Sequence, residues 1–285
     1  MSRDSSSRPE AATDHPFDIS TGLQPAGPHH WRGSPSRLYW NMVGPFGGTT
    51  AATLLRAVLQ HPDRIGEPAA LTVNYAAPLA DAPFLLEARP ARTNRSSQHW
   101  VMSLTQPDAA GQPVTVATGT AVTAVRRDTW RTTELPMPSV PAPETLSMRE
   151  PVAGFGWSER YDLRLVEGDL PATWNGVEAP DSVSRVWMRD LPPRPIDFLA
   201  LAAMSDLFYP RVWRRRAHRT PAGTVSITVY FHADQQVLDA TGSGPLLGEA
   251  RGQEFRHGFF DQRAQLWNAA GTVLTTTHQL VYYRD

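Results

Sequence analysis

Residues 49–61, TTAATLLRAVLQH, decide the fold. Ala52, Leu55 and Leu59 fall on one helical face, with Ala51 and Val58 beside them, so the spacing predicts a helix. Thr49 and Thr50 are the candidate N-caps. Upstream, SRLYWNMVGPFGG (36–48) reads as a short strand and a glycine turn. Downstream, ALTVNYAAPL (70–79), PFLLEARPART (83–93), SSQHWVMSLTQ (96–106) and VTVATGTAVTAVRR (114–127) have strand character, with a turn at PDAAGQP between the last two. The order is strand, one helix, four strands.

The second half repeats that order. RYDLRLVEG (160–168) and SRVWMRD (184–190) read as strands, and IDFLALAAMSDLFY (196–209) as a helix. TVSITVYFHA (224–233), LLGEARGQEFRHG (246–258), FFDQRAQLWN (259–268) and TVLTTTHQLVYYR (272–284) follow as strands. The turn NAAG mirrors the DAAG of the first half. Two copies make a duplication rather than a solenoid. In each, one long helix must bury its apolar face against an antiparallel sheet. The fold class is therefore duplicated α+β, and a sheet wrapped around a single long helix is the hotdog arrangement. Residues 37–130 form the first expected unit and 155–285 the second. Residues 1–36, rich in Ser, Pro, Gly and His, read as a disordered or draped tail, with Phe17, Ile19 and Leu23 as anchors. Residues 131–154 carry Pro136, Pro138, Pro141, Pro143 and Pro151 and read as an extended linker.

Composition narrows the chemistry. The 285 residues include no cysteine, which excludes disulfides, Cys-ligated zinc, iron–sulfur clusters and thiol catalysis. All 27 basic residues are Arg, so Schiff-base lysines and a phosphate-loop lysine are excluded. A formal net charge of −1 argues against general nucleic-acid binding. No stretch is long and apolar enough for a membrane span, and the start lacks a secretory core. The expectation is a soluble cytoplasmic protein with no metal and no cofactor. GSGP (242–245) lacks the spacing of a serine nucleophile elbow, and no HExxH occurs.

Several segments together resemble the acyl-CoA thioesterase II family of double-hotdog proteins. In the first half these are GPFGG (44–48), LTVNYAAPL (71–79) and TNRSSQHWVMSLTQ (93–106). In the second they are RVWMRD (185–190), ALAAMSDL (200–207), TVSITVYFH (224–232) and GTVLTTTHQ (271–279). The resemblance covers roughly residues 37–285. It implies two antiparallel sheets, each around a helix and joined edge to edge. It also implies hydrolysis of acyl-CoA in a homodimer or larger assembly, by a water held between an Asp, a Thr and a Gln. Those roles fall on Asp206, Thr224 and Gln279. Ser226 stands where the family often has an acid, and Asn74 with AAPLADAP where its first half often has histidine and glycine.

Residue by residue, Asp206 is the only carboxylate inside the apolar second helix, Asp197 lying at its first turn. Gln279 shares a strand face with Thr277 and Val281. A buried amide there needs a partner, which a water supplies. Gly47 and Gly48, before the first helix, either form a tight turn or bring free N–H groups to a substrate carbonyl. Arg214 and Arg215, within RVWRRRAHR (211–219), are candidates for the phosphates of coenzyme A, against a solvated loop. His232, His257 and His278 read as ordinary strand histidines. Two other functions stand beside hydrolysis: a non-catalytic acyl-binding protein, and a hotdog hydratase, which needs a close Asp–His pair.

Overall fold

A helix buried on every side needs a sheet that wraps it. In the computed structural model, which describes residues 15–284, helix α2 (Gly47–Leu59) is such a helix: all but Gly47, Arg56 and Leu59 are buried. The seven residues of α3 (Phe198–Met204) are all buried as well. The two helices pack against each other between the halves of a single sheet.

The strands are β1 (Gln24–Pro25), β2 (His30–Gly33), β3 (Glu67–Tyr75), β4 (Phe84–Thr93), β5 (Ser97–Pro107), β6 (Pro113–Ala124), β7 (Tyr161–Glu167), β8 (Ser184–Asp190), β9 (Ala222–Phe231), β10 (Leu246–Arg256), β11 (Phe259–Asn268) and β12 (Val273–Tyr283). They form one twelve-stranded sheet, in the order β1-β2-β4-β5-β6-β3-β9-β12-β11-β10-β8-β7, and every paired strand is antiparallel. The order β2-β4-β5-β6-β3 meets its mirror β9-β12-β11-β10-β8 at the β3–β9 pair. Each half has the same connectivity, and joining them removes one exposed edge from each. This is a double hotdog. Thr72 and Thr228 sit opposite each other at the seam, their hydroxyls 3.0 Å apart.

Several local expectations are corrected. The short strand expected in SRLYWNMVGPFGG is absent: Arg37–Tyr39 is a 3-10 turn, and Trp40 bridges only Pro45. The strand that fills that place in the sheet is β2, within the supposed tail. The described part of that tail is ordered. Helix α1 (Pro16–Ser20) buries Phe17 against Tyr39, and Asp18 ion-pairs with Arg56 and Arg194, both at 2.9 Å. Ile19 is exposed and anchors nothing, while Leu23 packs on the core edge. Single buried aromatics such as Phe17 and Trp31 do this work, and they leave no periodicity to read. Residues 1–14 lie outside the described residues.

Thr49 and Thr50 are not caps. Phe46 holds the N-cap position, and the Thr49 hydroxyl donates back to its carbonyl at 2.7 Å. The proline-rich segment runs extended over the outer face of the second half. There Trp187 and Trp267 donate their indole N–H groups to the carbonyls of Pro141 and Leu135. Met137, Val140 and Leu146 pack on those two indoles and Leu247.

Candidate active site

The second helix is shorter than its apolar run. α3 stops at Met204, Ser205 is the C-cap, and Asp206 lies just beyond it in a turn. Pro210 forbids continuation, because the residue before a proline is pushed out of the helical region. A separate short helix, α4 (Arg211–Arg216), follows. Asp206 is therefore held at a helix end rather than on a helix face, and its carboxyl points at α2 and β12.

Two hydrogen bonds fix that carboxyl. Gln279 Nε2 on β12 donates to Oδ1 at 2.8 Å. The Gly48 N–H, in the first turn of α2, donates to it as well. Gly47 leaves room: a Cβ there would lie 2.7 Å from Asp206 Oδ2. A Cβ on Gly48 would run into the Ala203 carbonyl oxygen, so that glycine also sets how closely α2 and α3 approach. Tyr75 completes this wall by donating its hydroxyl to the Gly47 carbonyl at 2.7 Å.

Burial pushes the Asp206 carboxyl up to about 7, against the opposing pull of the Gln279 and Gly48 hydrogen bonds. The residue nevertheless keeps some accessible surface, because it faces cavity. Burial, and to a lesser degree the Asp206 charge, holds the Tyr75 hydroxyl well above its usual range. A carboxyl that titrates near neutrality in a cleft is suited to accept and return a proton.

Gln262 on β11 was not singled out from the sequence. It lies directly opposite Gln279 in the β11–β12 register, and its Nε2 donates to Gln279 Oε1 at 3.1 Å. Gln262 is 1% exposed and Gln279 4%. The relay Gln262 to Gln279 to Asp206 turns the Gln279 amide so that its N–H side meets the carboxylate. Only the strand register carries a signal for Gln262.

Thr224 is brought to the same place by a bulge. β9 pairs Ser226 with Leu280 but Thr224 with Val281, so one extra residue, Val225, interrupts the alternation. Residues directly opposite across strands share a face. Thr224 thus joins Val281 and Gln279 on the inner face. Ser226 lies opposite Leu280 and Asn74 on the outer one. The departures at Ser226 and Asn74 therefore fall away from the site.

Two cavities meet here, sharing Asn41, Met42, Asp206, Ala222, Gly223 and Thr224 as walls. The larger, about 540 Å³, adds Gly47, Tyr75 and the 76–79 loop. The smaller, about 90 Å³, adds Gln262, Gln279 and a set of aromatic rings. Neither is lined by Arg214 or Arg215; α4 contributes Trp213, while Arg215 pairs with Glu178 at 2.9 Å. His278 pairs with Asp261 at 3.0 Å, and His232 hydrogen-bonds Thr276. Among the described residues no histidine hydrogen-bonds Asp206. Among the described residues no group of His, Cys, Asp and Glu is placed to hold a metal, and no helix is long and apolar enough to cross a membrane.

Comparison with known proteins fits this geometry. Residues 36–124 match the acyl-CoA thioesterase N-terminal domain, and residues 134–283 the acyl-CoA thioesterase C-terminal domain. The chain belongs to the acyl-CoA thioesterase family. No curated protein matches it. A conserved protein of unknown function with a hot dog fold from Alicyclobacillus acidocaldarius is 45% identical, with a TM-score of 0.89 over 96% of this chain and 99% of that one. A candidate thioesterase II from Thermobifida fusca YX is 20% identical, with a TM-score of 0.79 over 95% and 98%. The acyl-CoA thioesterase II TesB2 from Mycobacterium marinum is 18% identical, with a TM-score of 0.71 over 94% and 98%. At such identities the last two speak to the fold alone. In this thioesterase-family chain, the first domain supplies Gly47, Gly48 and Tyr75, and the second supplies Asp206, Thr224, Gln262 and Gln279.

The crowding around the glycines gives a prediction. Gly47→Ala is expected to displace the Asp206 carboxylate while leaving the fold intact. Gly48→Ala overpacks the α2–α3 contact and is expected to cost about 1–3 kcal/mol of stability. Paired activity assays and chemical denaturation separate the two effects. Equal melting losses in both variants would refute the assignment.

Proposed function

We propose that this protein hydrolyses acyl-CoA thioesters with a water held between Asp206, Thr224 and Gln279. The observation that carries this is the Asp206 carboxyl: raised to about 7, fixed by Gln279 and Gly48, and standing where two cavities meet. As carboxylate, Asp206 takes a proton from the water as the water oxygen bonds to the thioester carbonyl carbon. The electron pair moves to the carbonyl oxygen. The Gly48 and Thr49 N–H groups are taken by Asp206 and the Phe46 carbonyl, so the Gly47 N–H, on the wall of the larger cavity, is the one offered to a developing oxyanion. Collapse breaks the C–S bond, and protonated Asp206 returns its proton to the departing CoA thiolate. No covalent intermediate is needed. Thr224 and Gln279 orient the water, and Gln262 orients Gln279.

The test is thiol release from a panel of acyl-CoAs. Thr224→Val and Gln279→Leu each remove one hydrogen-bonding group and are expected to lower kcat about 10- to 100-fold, with little change in KM if they act on the transition state. Absence of thiol release from every acyl-CoA, with retained acyl-CoA binding, would favour the acyl-binding reading. An Asp–His pair in the cleft would support a hydratase; the His278–Asp261 pair lines neither cavity.

A further inference from the structure

The two cavities differ in size and in wall. Beyond the residues they share, the larger is bounded by surface segments: Val43 is 74% exposed and Tyr282 37%. It opens between these to solvent. The smaller is walled by Phe46, Phe155, Trp157, Phe208, Tyr209 and Trp213, and of these Phe46, Trp157 and Trp213 are buried, as are Gln262, Gln279 and Val281. A long pantetheine arm with its nucleotide needs the roomier side. The acyl group, on the other side of the carbonyl at Asp206, is then directed into the narrower, aromatic one.

The aromatic chamber is stiff as well as small. Phe46 stacks on Trp157 at 5.2 Å, and Phe155 and Tyr209 abut the same indole at 6.3 and 6.0 Å. Tyr209 is itself pinned by Arg149, whose Nη1 donates to its hydroxyl at 3.0 Å and whose guanidinium covers its ring. Interlocked rings do not yield cheaply to a longer chain. A cavity of about 150 Å³ is what a benzene molecule fills, and this one is about 90 Å³.

We infer that the aromatic chamber receives the acyl group and limits it to short chains of about four carbons or fewer. The inference rests on the hydrolytic reading for its kinetic arm only. Phe155, Trp157 and Tyr209 are then specificity-determining residues, and Phe155, the less buried of the first two, is the one to truncate.

The experiment measures kcat/KM for straight-chain acyl-CoAs from two to sixteen carbons. In parallel, calorimetry measures binding of non-hydrolysable S-alkyl-CoA thioethers of two to twelve carbons to the Asp206→Asn variant. Wild type is expected to peak at two to four carbons and fall at least about tenfold by eight, the size of step a few misfitting methylenes impose. Phe155→Ala is expected to move the optimum to longer chains in both assays. Trp157→Phe provides a milder enlargement if the alanine variant folds poorly. An optimum at twelve or more carbons, or an optimum shifted by Leu79→Ala in the open cavity but not by Phe155→Ala, would overturn it. Absence of hydrolysis with binding still ordered by chain length would instead defeat the hydrolytic reading and leave the chamber assignment standing.

Discussion

Asp206→Asn is expected to lower kcat by about 10²–10⁴, corresponding to about 3–5 kcal/mol of lost transition-state stabilisation. The substitution keeps size and shape, and an Asn oxygen still accepts from Gln279 Nε2 in place of Oδ1. What is lost is the group that takes the proton. In the wild type, kcat/KM is expected to climb as pH rises through about 7, because only the ionised carboxylate is a base and burial holds its titration there. The same profile in Asp206→Asn should be flat over that range, at much reduced rate. A mutant with near-wild activity, or a wild-type profile already level from pH 5, would remove Asp206 from the base role.

A second large effect concerns stability. Asp190, at the end of β8, is 1% exposed, and neither carboxyl oxygen has a hydrogen-bond partner in the structure. The hydroxyls of Tyr39 and Tyr161 are buried and unpartnered as well. Burial pushes Asp190 up to about 7; Arg194 opposes this, while Asp197 and Asp18 add to it. Below pH 4 the carboxyl is protonated both folded and unfolded, so it carries no penalty. Between about 4 and 7 the unfolded chain ionises and the folded one does not, so the folded state binds more protons and stability falls with rising pH. Above 7 the full penalty stands. Moving a carboxyl from 3.8 to about 7 sets an upper bound of about 4 kcal/mol. Asp190→Asn should therefore gain stability relative to wild type at pH 8 and show no comparable gain at pH 4. Denaturant titrations at the two pH values measure the difference, and an equal effect at both would refute the ionisation account.

Much of this was legible in sequence because sheets with one buried face alternate. β4, β5, β11 and β12 announce themselves in that way, and Thr277, Gln279 and Val281 share the inner face as alternation requires. Asp206 stood out as a charge in an apolar run. What alternation cannot report is register. Gln262 matters because it lies opposite Gln279, and Thr224 faces inward because Val225 is an extra residue, and both are properties of strand pairs. Phe17 and Leu23 anchor the tail as the sequence suggests, but its strand β2 is not legible there for a related reason: Trp31 buries individually, against partners far along the chain. The Arg214–Arg215 run is a conspicuous charge that the sequence marks for a ligand; neither residue lines a cavity, and Arg215 pairs with Glu178.

The seam at β3–β9 has a consequence for how the two copies have divided their labour. Matching Thr72 with Thr228 relates Ile227 to Leu71, since each precedes its threonine by one residue. Gln279 lies opposite Ile227, and Ala121 opposite Leu71; Gln262 lies opposite Gln279, and Trp100 opposite Ala121. The counterparts of the two glutamines are thus an alanine and a tryptophan. Asp206 is nine residues beyond the helix N-cap Asp197, and nine beyond Phe46 stands Leu55. Ala121 and Trp100 are both buried, so apolar side chains fill the space that the glutamines occupy in the second copy. At these positions the first copy packs, and it lends the second a helix terminus. The polar set of the proposed site comes from the second half, so neither half is a smaller version of the whole.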